Sequence, residues 1–153
     1  MMFNTEKSKV VHFGVNNPRV AYSIENKVLD GSEEERDLGV IVQSNLKVSS
    51  QCAKVVKTAN KILGFIKRTF VTRDVNTIRS LYKSLVRPHL EYCVQAWRPW
   101  LKKDIELIEG VQHRATKIIN GFNNLSYEQR LAAIGLTTLE TRRLRGDLIE
   151  VFK

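Results

Sequence analysis

Residues 46–70, LKVSSQCAKVVKTANKILGFIKRTF, decide the fold, because within them the spacing of apolar side chains changes from two residues to 3.6. Ser49 or Ser50 sits where a helix N-cap belongs, and the helix it opens runs to about Phe70. At 100° per residue, Val55, Ala59, Ile62, Leu63, Ile66 and Phe70 share one face. Lys54, Lys57, Lys61 and Arg68 fall within about 60° of one another on the opposite face. From Ile41 to Arg73 there are seven basic residues and no acidic one. A helix that merely faces water mixes signs and gains i,i+4 pairs, and this one forgoes them. The row therefore reads as a candidate for tracking phosphates, with a basic surface that only serves solubility as the alternative. Phe65 lies on the same polar side, where it either stacks on a base or sugar or packs on a neighbouring element.

Upstream of this helix the chain reads as β. KVVHFG, VAYSI, KVLD and DLGVIV are short runs of β-branched and aromatic residues, with turn signals at Asn16-Asn17-Pro18 and Glu25-Asn26. The acidic run Glu33–Glu35 reads as a solvated loop. Gly39, inside DLGVIV, suggests a bulge or a close backbone approach, because glycine weakens a plain strand.

Downstream the pattern stays helical. Asp74 is placed to cap a second helix with Ile78, Leu81, Tyr82, Leu85 and Val86 inward, and Arg79, Lys83 and Arg87 form a second basic row on it. Pro88 then removes a backbone donor and disfavours αR at Arg87, so the helix should kink or restart there. A third helix is expected from about Asp104 to Asn120, with Ile105, Ile108, Val111, Ala115, Ile118 and Ile119 inward and Gly121 as its stop. Its other face is mixed: Glu106, Glu109, His113, Arg114 and Lys117. Ser126 with Gln129 is a capping box for a short helix ended by Gly135. Thr137 with Glu140 repeats the pattern for a last helix carrying Leu144, Leu148, Val151 and Phe152, still running at Lys153.

Few chemistries fit these residues. His89 and Cys93 are four apart, but no second pair at metal-ligand spacing exists, so a buried histidine and a buried thiol are expected instead. A Cys–His nucleophile lacks a third group nearby. No P-loop, G-x-G-x-x-G or G-x-S-x-G occurs. Asp30, Asp37, Asp74, Asp104 and Asp147 stand apart at strand ends or helix caps, no Asp-Asp dipeptide occurs, and nothing pairs carboxylates for a catalytic metal. Trp97 and Trp100 are expected to plug the joint between helices.

The whole chain of 153 residues carries a formal charge of +9, unevenly spread: residues 1–40 hold five basic and seven acidic side chains, and the remaining twenty basic and nine acidic ones follow. That asymmetry points to a polyanionic partner. No apolar run approaches a membrane span, so no membrane partner is expected. Without a signal peptide pattern, Cys52 and Cys93 are expected to be free thiols in an intracellular setting, nucleus or cytoplasm left open.

FNTEKSK, then a hairpin, then DLGVIV, then three helices with LYKSLVRPHLEYCVQAW in the second, then LSYEQRLAAIGLTTLETRRLRGDLIEVFK form a recognisable order of parts. Over essentially its whole length the chain resembles the C-terminal part of the reverse transcriptase (RNA-directed DNA polymerase) of non-LTR retrotransposons, the jockey-like and long-interspersed-element kind. RPHLEYCVQAW and RRLRGDLIEV are the most specific stretches. The resemblance implies that Asn4 and Lys7 match the motif at the end of the palm, whose lysine is proposed to help the leaving pyrophosphate. It implies that Leu38 and Gly39 match the primer-grip hairpin, whose backbone supports the growing 3′ end, and that the three helices are the thumb that clasps the template–primer duplex. In that family the catalytic aspartates, in an aromatic-Ala-Asp-Asp turn, lie upstream of the region matched. The parent polymerase uses magnesium, whose ligands are absent here, so neither a cofactor nor polymerisation by this chain alone is expected.

The expectation is an α+β chain: a small antiparallel β region over residues 1–45, a helical thumb-like domain over 46–121, and a helical C-terminal extension over 122–153 that looks cut off. Its expected role is non-catalytic binding of an RNA/DNA template–primer duplex or other nucleic acid, with weak sequence preference. Lys54, Lys57, Lys61 and Arg68 would contact phosphates, with Arg79, Lys83 and Arg87 secondary and the absent polymerase domains as further partners. The alternatives are a mobile-element relic without function and a protein-interaction module using exposed apolar surface.

Overall fold

In DLGVIV, the glycine serves a turn. Leu38 and Gly39 both take positive φ, 43° and 91°, and join β5 (Glu34–Asp37) to β6 (Val40–Gln43) as a two-residue hairpin loop. Positive φ at both loop residues is the type I′ geometry that matches strand twist, and glycine enters it without a Cβ penalty. Glu25 and Asn26 do the same between β2 (Ser23–Ile24) and β3 (Lys27–Val28), at φ 51° and 63°.

The computed structural model describes residues 4–152 and has an α+β architecture, with short strands first and helices after. It divides into two compact units, Met1–Gln51 and Cys52–Lys153. In the first, β1 (Lys9–Val11) pairs in parallel with β4 (Asp30–Ser32), while β2–β3 and β5–β6 are antiparallel. The parallel pair departs from the expected all-antiparallel arrangement: the β2–β3 hairpin is inserted between β1 and β4 and returns the chain in the original direction.

Of the acidic run Glu33–Glu35, only Glu33 is loop, a bend between β4 and β5. Glu34 and Glu35 belong to β5 and pair with Gln43 and Val42. Their carboxylates are occupied, since Gln43 Nε2 donates to Glu34 at 3.2 Å and Lys9 Nζ lies 3.7 Å from Glu35. The register set by the Leu38-Gly39 turn outweighs the low strand propensity of glutamate. Gln51 is buried, and its Oε1 accepts the Ile41 N–H at 3.0 Å.

The second unit holds nearly all of α1 (Ser49–Thr69), then α2 (Val75–Leu81), α3 (Arg87–Glu91), α4 (Lys102–Thr116), α5 (Tyr127–Ile134) and α6 (Leu139–Val151). Residues 122–153 lie within it, with α5 and α6 packed on α4. Val55, Ala59, Leu63 and Ile66 of α1 are buried as their spacing predicts, joined by Cys52 and Val56. Each fully buried large aliphatic side chain is worth about 1.5–3 kcal/mol. Asp74 caps α2 by accepting from the Asn76 and Thr77 amides, and hydrogen bonds from Thr77 hold its carboxyl below the usual range.

Two local signals act as expected and two are displaced. Ser126 and Gln129 form a reciprocal capping box on α5, and Gly135, at φ 61°, ends it. There Leu136 N donates to Leu131 O and Gly135 N to Ala132 O, the Schellman pattern. The cap of α6 is Thr138, accepting from Thr141 N, and not Thr137, whose carbonyl is taken by Gln112 Nε2 at 2.9 Å. Helix α4 ends at Thr116, ahead of Gly121, which turns the chain at φ 81°.

Pro88 does not break its helix. Arg87 keeps αR geometry (φ −59°, ψ −38°), against expectation, because a π-helical turn at Tyr82–Val86 precedes it. Arg87 N–H there donates to Tyr82 O, five residues back. Widening one turn lets the chain absorb the missing proline donor without a kink.

Candidate nucleic-acid interface

Val86, Leu90 and Val94 repeat at i, i+4 and are all buried. His89 and Cys93 have the same spacing one residue earlier in phase, so they face outward and are exposed, which corrects the expectation of a buried pair. Cys93 ends the helical stretch in the left-handed region at φ 52°. Among the described residues no group of three or more His, Cys, Asp or Glu side chains is arranged to hold a metal ion. Of the two tryptophans only Trp97 plugs the joint. Its indole donates to Tyr92 O at 2.7 Å and is 1% exposed, whereas Trp100 is 67% exposed beside a cavity of about 270 Å³.

The two stretches that carry the resemblance meet in space. Arg143 is buried, donates to Leu90 O at 2.8 Å and places its guanidinium 5.0 Å from the Trp97 ring centre. Burial lowers its pKa. Glu91 receives both Arg87, at 3.6 Å, and Arg142, and Arg98 pairs with Asp147 at 2.8 Å. So RPHLEYCVQAW and RRLRGDLIEV form one joint, which Arg87, Arg142 and Arg143 serve.

A polar network lies behind this joint. Gln112 is buried, accepts from Tyr82 Oη at 2.8 Å and donates to Tyr127 Oη at 3.1 Å. Glu109 accepts from Tyr127 Oη and from Leu139 N, the latter at 2.9 Å, which holds the start of α6. Burial is the leading cause that raises the pKa of Tyr82 and Tyr127, and it pushes the Cys52 thiol up to about 11. Arg130 donates to Thr116 Oγ1, Leu125 O and His113 Nε2. Desolvation and then the charges of Arg130, Lys117 and Arg114 lower the His113 pKa. These groups are spent on packing, and buried arginine, glutamine and aspartate (Asp104, 4% exposed) carry no pattern of their own in the sequence.

The outer face of α1 is the contrast. Lys57, Lys61 and Arg68 are exposed and have no carboxylate partner among the described residues, while Lys54 is half-buried. Phe65 is 53% exposed on the same side. The second row divides: Arg79 donates to Asn76 Oδ1 at 3.3 Å, Lys83 is half-buried, and Arg87 is neutralised by Glu91. In the strand unit, Asn4 Oδ1 accepts from the Glu6 and Lys7 amides, which leaves the Lys7 side chain exposed. Leu38 stands 83% exposed at its hairpin tip next to Gly39.

One cluster was not anticipated. Lys67 of α1, Arg73 of the following connection, and Arg114 and Lys117 at the end of α4 line a cleft of about 610 Å³ together with Asn60. They come from segments some 50 residues apart, so only the packing of the helices assembles them.

No protein-family model, curated protein or solved structure matches the chain.

Proposed function

We propose that the chain is a nucleic acid clamp of the reverse-transcriptase thumb kind, which binds an RNA–DNA template–primer duplex without catalysis through the outer face of α1. One observation carries this reading: Lys57, Lys61 and Arg68 stand exposed on one side of a single helix with no carboxylate partner among the described residues. Like charges held together on a helix repel, and a phosphate backbone relieves that repulsion while releasing its own counterions. The resemblance to a non-LTR retrotransposon reverse transcriptase supports the same role. It casts the Leu38-Gly39 tip as the primer-grip element and Lys7 as the palm lysine. The chain supplies binding rather than polymerisation in this reading, since the paired aspartates that hold magnesium in the parent family have no counterpart in the sequence. Phosphate contacts position a duplex without reading it, so sequence preference is weak.

The test is a salt titration of fluorescence anisotropy on a labelled RNA–DNA hybrid. Three phosphate contacts give a log–log slope of about −3, at roughly 0.9 per contact. A Lys57→Glu, Lys61→Glu, Arg68→Glu variant should lose most of that slope while keeping its helical circular-dichroism spectrum. An affinity indifferent to salt, or equal in the variant, would overturn the reading.

A second reading, a protein-interaction module, is favoured by α6, whose Leu144, Leu148 and Val151 lie on one side and are 46%, 50% and 79% exposed. It predicts binding of polypeptide that survives high salt and the triple charge reversal.

A further inference from the structure

The cleft between α1 and α4 differs from the outer row in shape. It is concave, its floor carries Leu63 and Ile118, and its charged rim is Lys67, Arg73, Arg114 and Lys117, without a carboxylate. Part of that charge answers local needs. Arg73 Nη2 donates to Lys67 O at 3.3 Å near the end of α1, and Arg114 Nε donates to Asn60 Oδ1 at 3.1 Å. Two helix C-termini contribute about half a negative charge each, roughly −1 in all, against four full positive charges. A net charge of about +3 therefore faces the cleft, and among the described residues no acidic side chain pairs with any of the four.

Volume narrows the ligand. At about 610 Å³ the cleft has the size of a site for one small molecule, about 300–1,000 Å³, which suits a short length of a single strand. Position narrows it further. On the α1 wheel Asn60, Gly64 and Lys67 lie next to Lys57, Lys61 and Arg68, so the cleft opens directly beside the outer row. At the edge between them Gly64 has no side chain of its own, and the Arg68 guanidinium reaches over it, with Nη1 3.7 Å from where a Cβ would stand.

We propose that this cleft holds consecutive phosphates of one nucleic acid strand, the single-stranded continuation of a duplex seated on the outer row of α1. The proposal rests on the nucleic acid reading above and deepens it: the chain recognises a junction between duplex and single strand. Lys67 and Lys117 supply mobile charges at the rim, Arg73 and Arg114 supply planar donors, and Leu63 with Ile118 offers an apolar floor on which a sugar or base rests.

The experiment compares three labelled probes on the full chain by anisotropy: a blunt 20-base-pair RNA–DNA hybrid, the same hybrid with a ten-nucleotide overhang, and the ten-nucleotide strand alone. The overhang should tighten binding by about tenfold at moderate salt, as two to three added phosphate contacts would. Lys67→Glu with Lys117→Glu should abolish that advantage and leave blunt-duplex affinity within about threefold, since both side chains are exposed and neither is placed in the outer row. Lys67→Gln with Lys117→Gln, which removes charge without reversing it, should give an intermediate loss and guards against misfolding in the first variant. Equal affinity for blunt and overhang probes, or an advantage that survives both variants, would overturn the proposal. So would saturable binding of inorganic tripolyphosphate that the cleft variants lose without any overhang effect, since the site would then take free polyphosphate. Failure of the underlying reading looks different: the blunt hybrid would not bind, or would bind equally well after reversal of the outer row.

Discussion

Two regions of the helical unit are rich in cations and use them in opposite ways. In the joint between α3 and α6, Arg87 and Arg142 converge on Glu91, Arg98 pairs with Asp147, and Arg143 is buried against Leu90 and Trp97. On the outer face of α1, Lys57, Lys61 and Arg68 are exposed, with no acidic partner among the described residues. A guanidinium is planar, weakly hydrated and able to satisfy several acceptors at once, so it suits the joint, where the paired cations are all arginines, whereas the outer row combines two lysines with Arg68. Counting positive charge alone would have treated both regions as one polyanion-binding surface.

The comparison is broken most severely at Arg143. Replacing it with Ala should cost about 2–4 kcal/mol, because the Leu90 carbonyl loses its donor and the Trp97 ring its partner in a buried place. Urea denaturation followed by tryptophan fluorescence checks this, and an unchanged midpoint would refute it. Glu91→Gln tests both regions together. It should cost about 1 kcal/mol through weakened pairing with Arg87 and Arg142, and it should strengthen duplex binding and steepen its salt dependence, because Arg87 is released. Lys57→Ala and Lys61→Ala should each leave stability within about 0.5 kcal/mol and lower the salt slope by about 1.

Smallest is the effect of pH at Cys52. Its thiol is pushed up to about 11 by burial, so the folded state favours the protonated form. Stability from this group is whole below the unfolded thiol value and falls as pH rises from about 9 towards 11, with Tyr82 and Tyr127 acting in the same direction. Thermal melts should therefore shift down over that window. At neutral pH a thiol reagent should modify exposed Cys93 quickly and Cys52 only on unfolding.

What was legible in the sequence was local. The buried stripe of α1, the Asp74 cap, the Ser126–Gln129 box and the Gly135 stop each depend on residues within four positions of one another. The misses depended on distant partners. Glu34 and Glu35 became strand because β6 and Lys9 were there to pair with them, and β4 joined β1 across a hairpin. Thr137 lost its capping role to an amide from α4. Exposure of His89 and Cys93 turned on which i,i+4 stripe met the core, and Val86, Leu90 and Val94 took that place. For the candidate site, the α1 row was legible because one helix carries it, while the cleft of Lys67, Arg73, Arg114 and Lys117 exists only once two helices are packed.

The most direct test of the central claim is lysine acetylation footprinting by mass spectrometry, with and without an RNA–DNA hybrid at low and moderate salt. The account predicts strong protection of Lys57 and Lys61 and none of Lys103, which is also exposed, at the start of α4. Uniform protection of all three, or none, would contradict it, since the bound polyanion would then be reading total charge and not the face of α1.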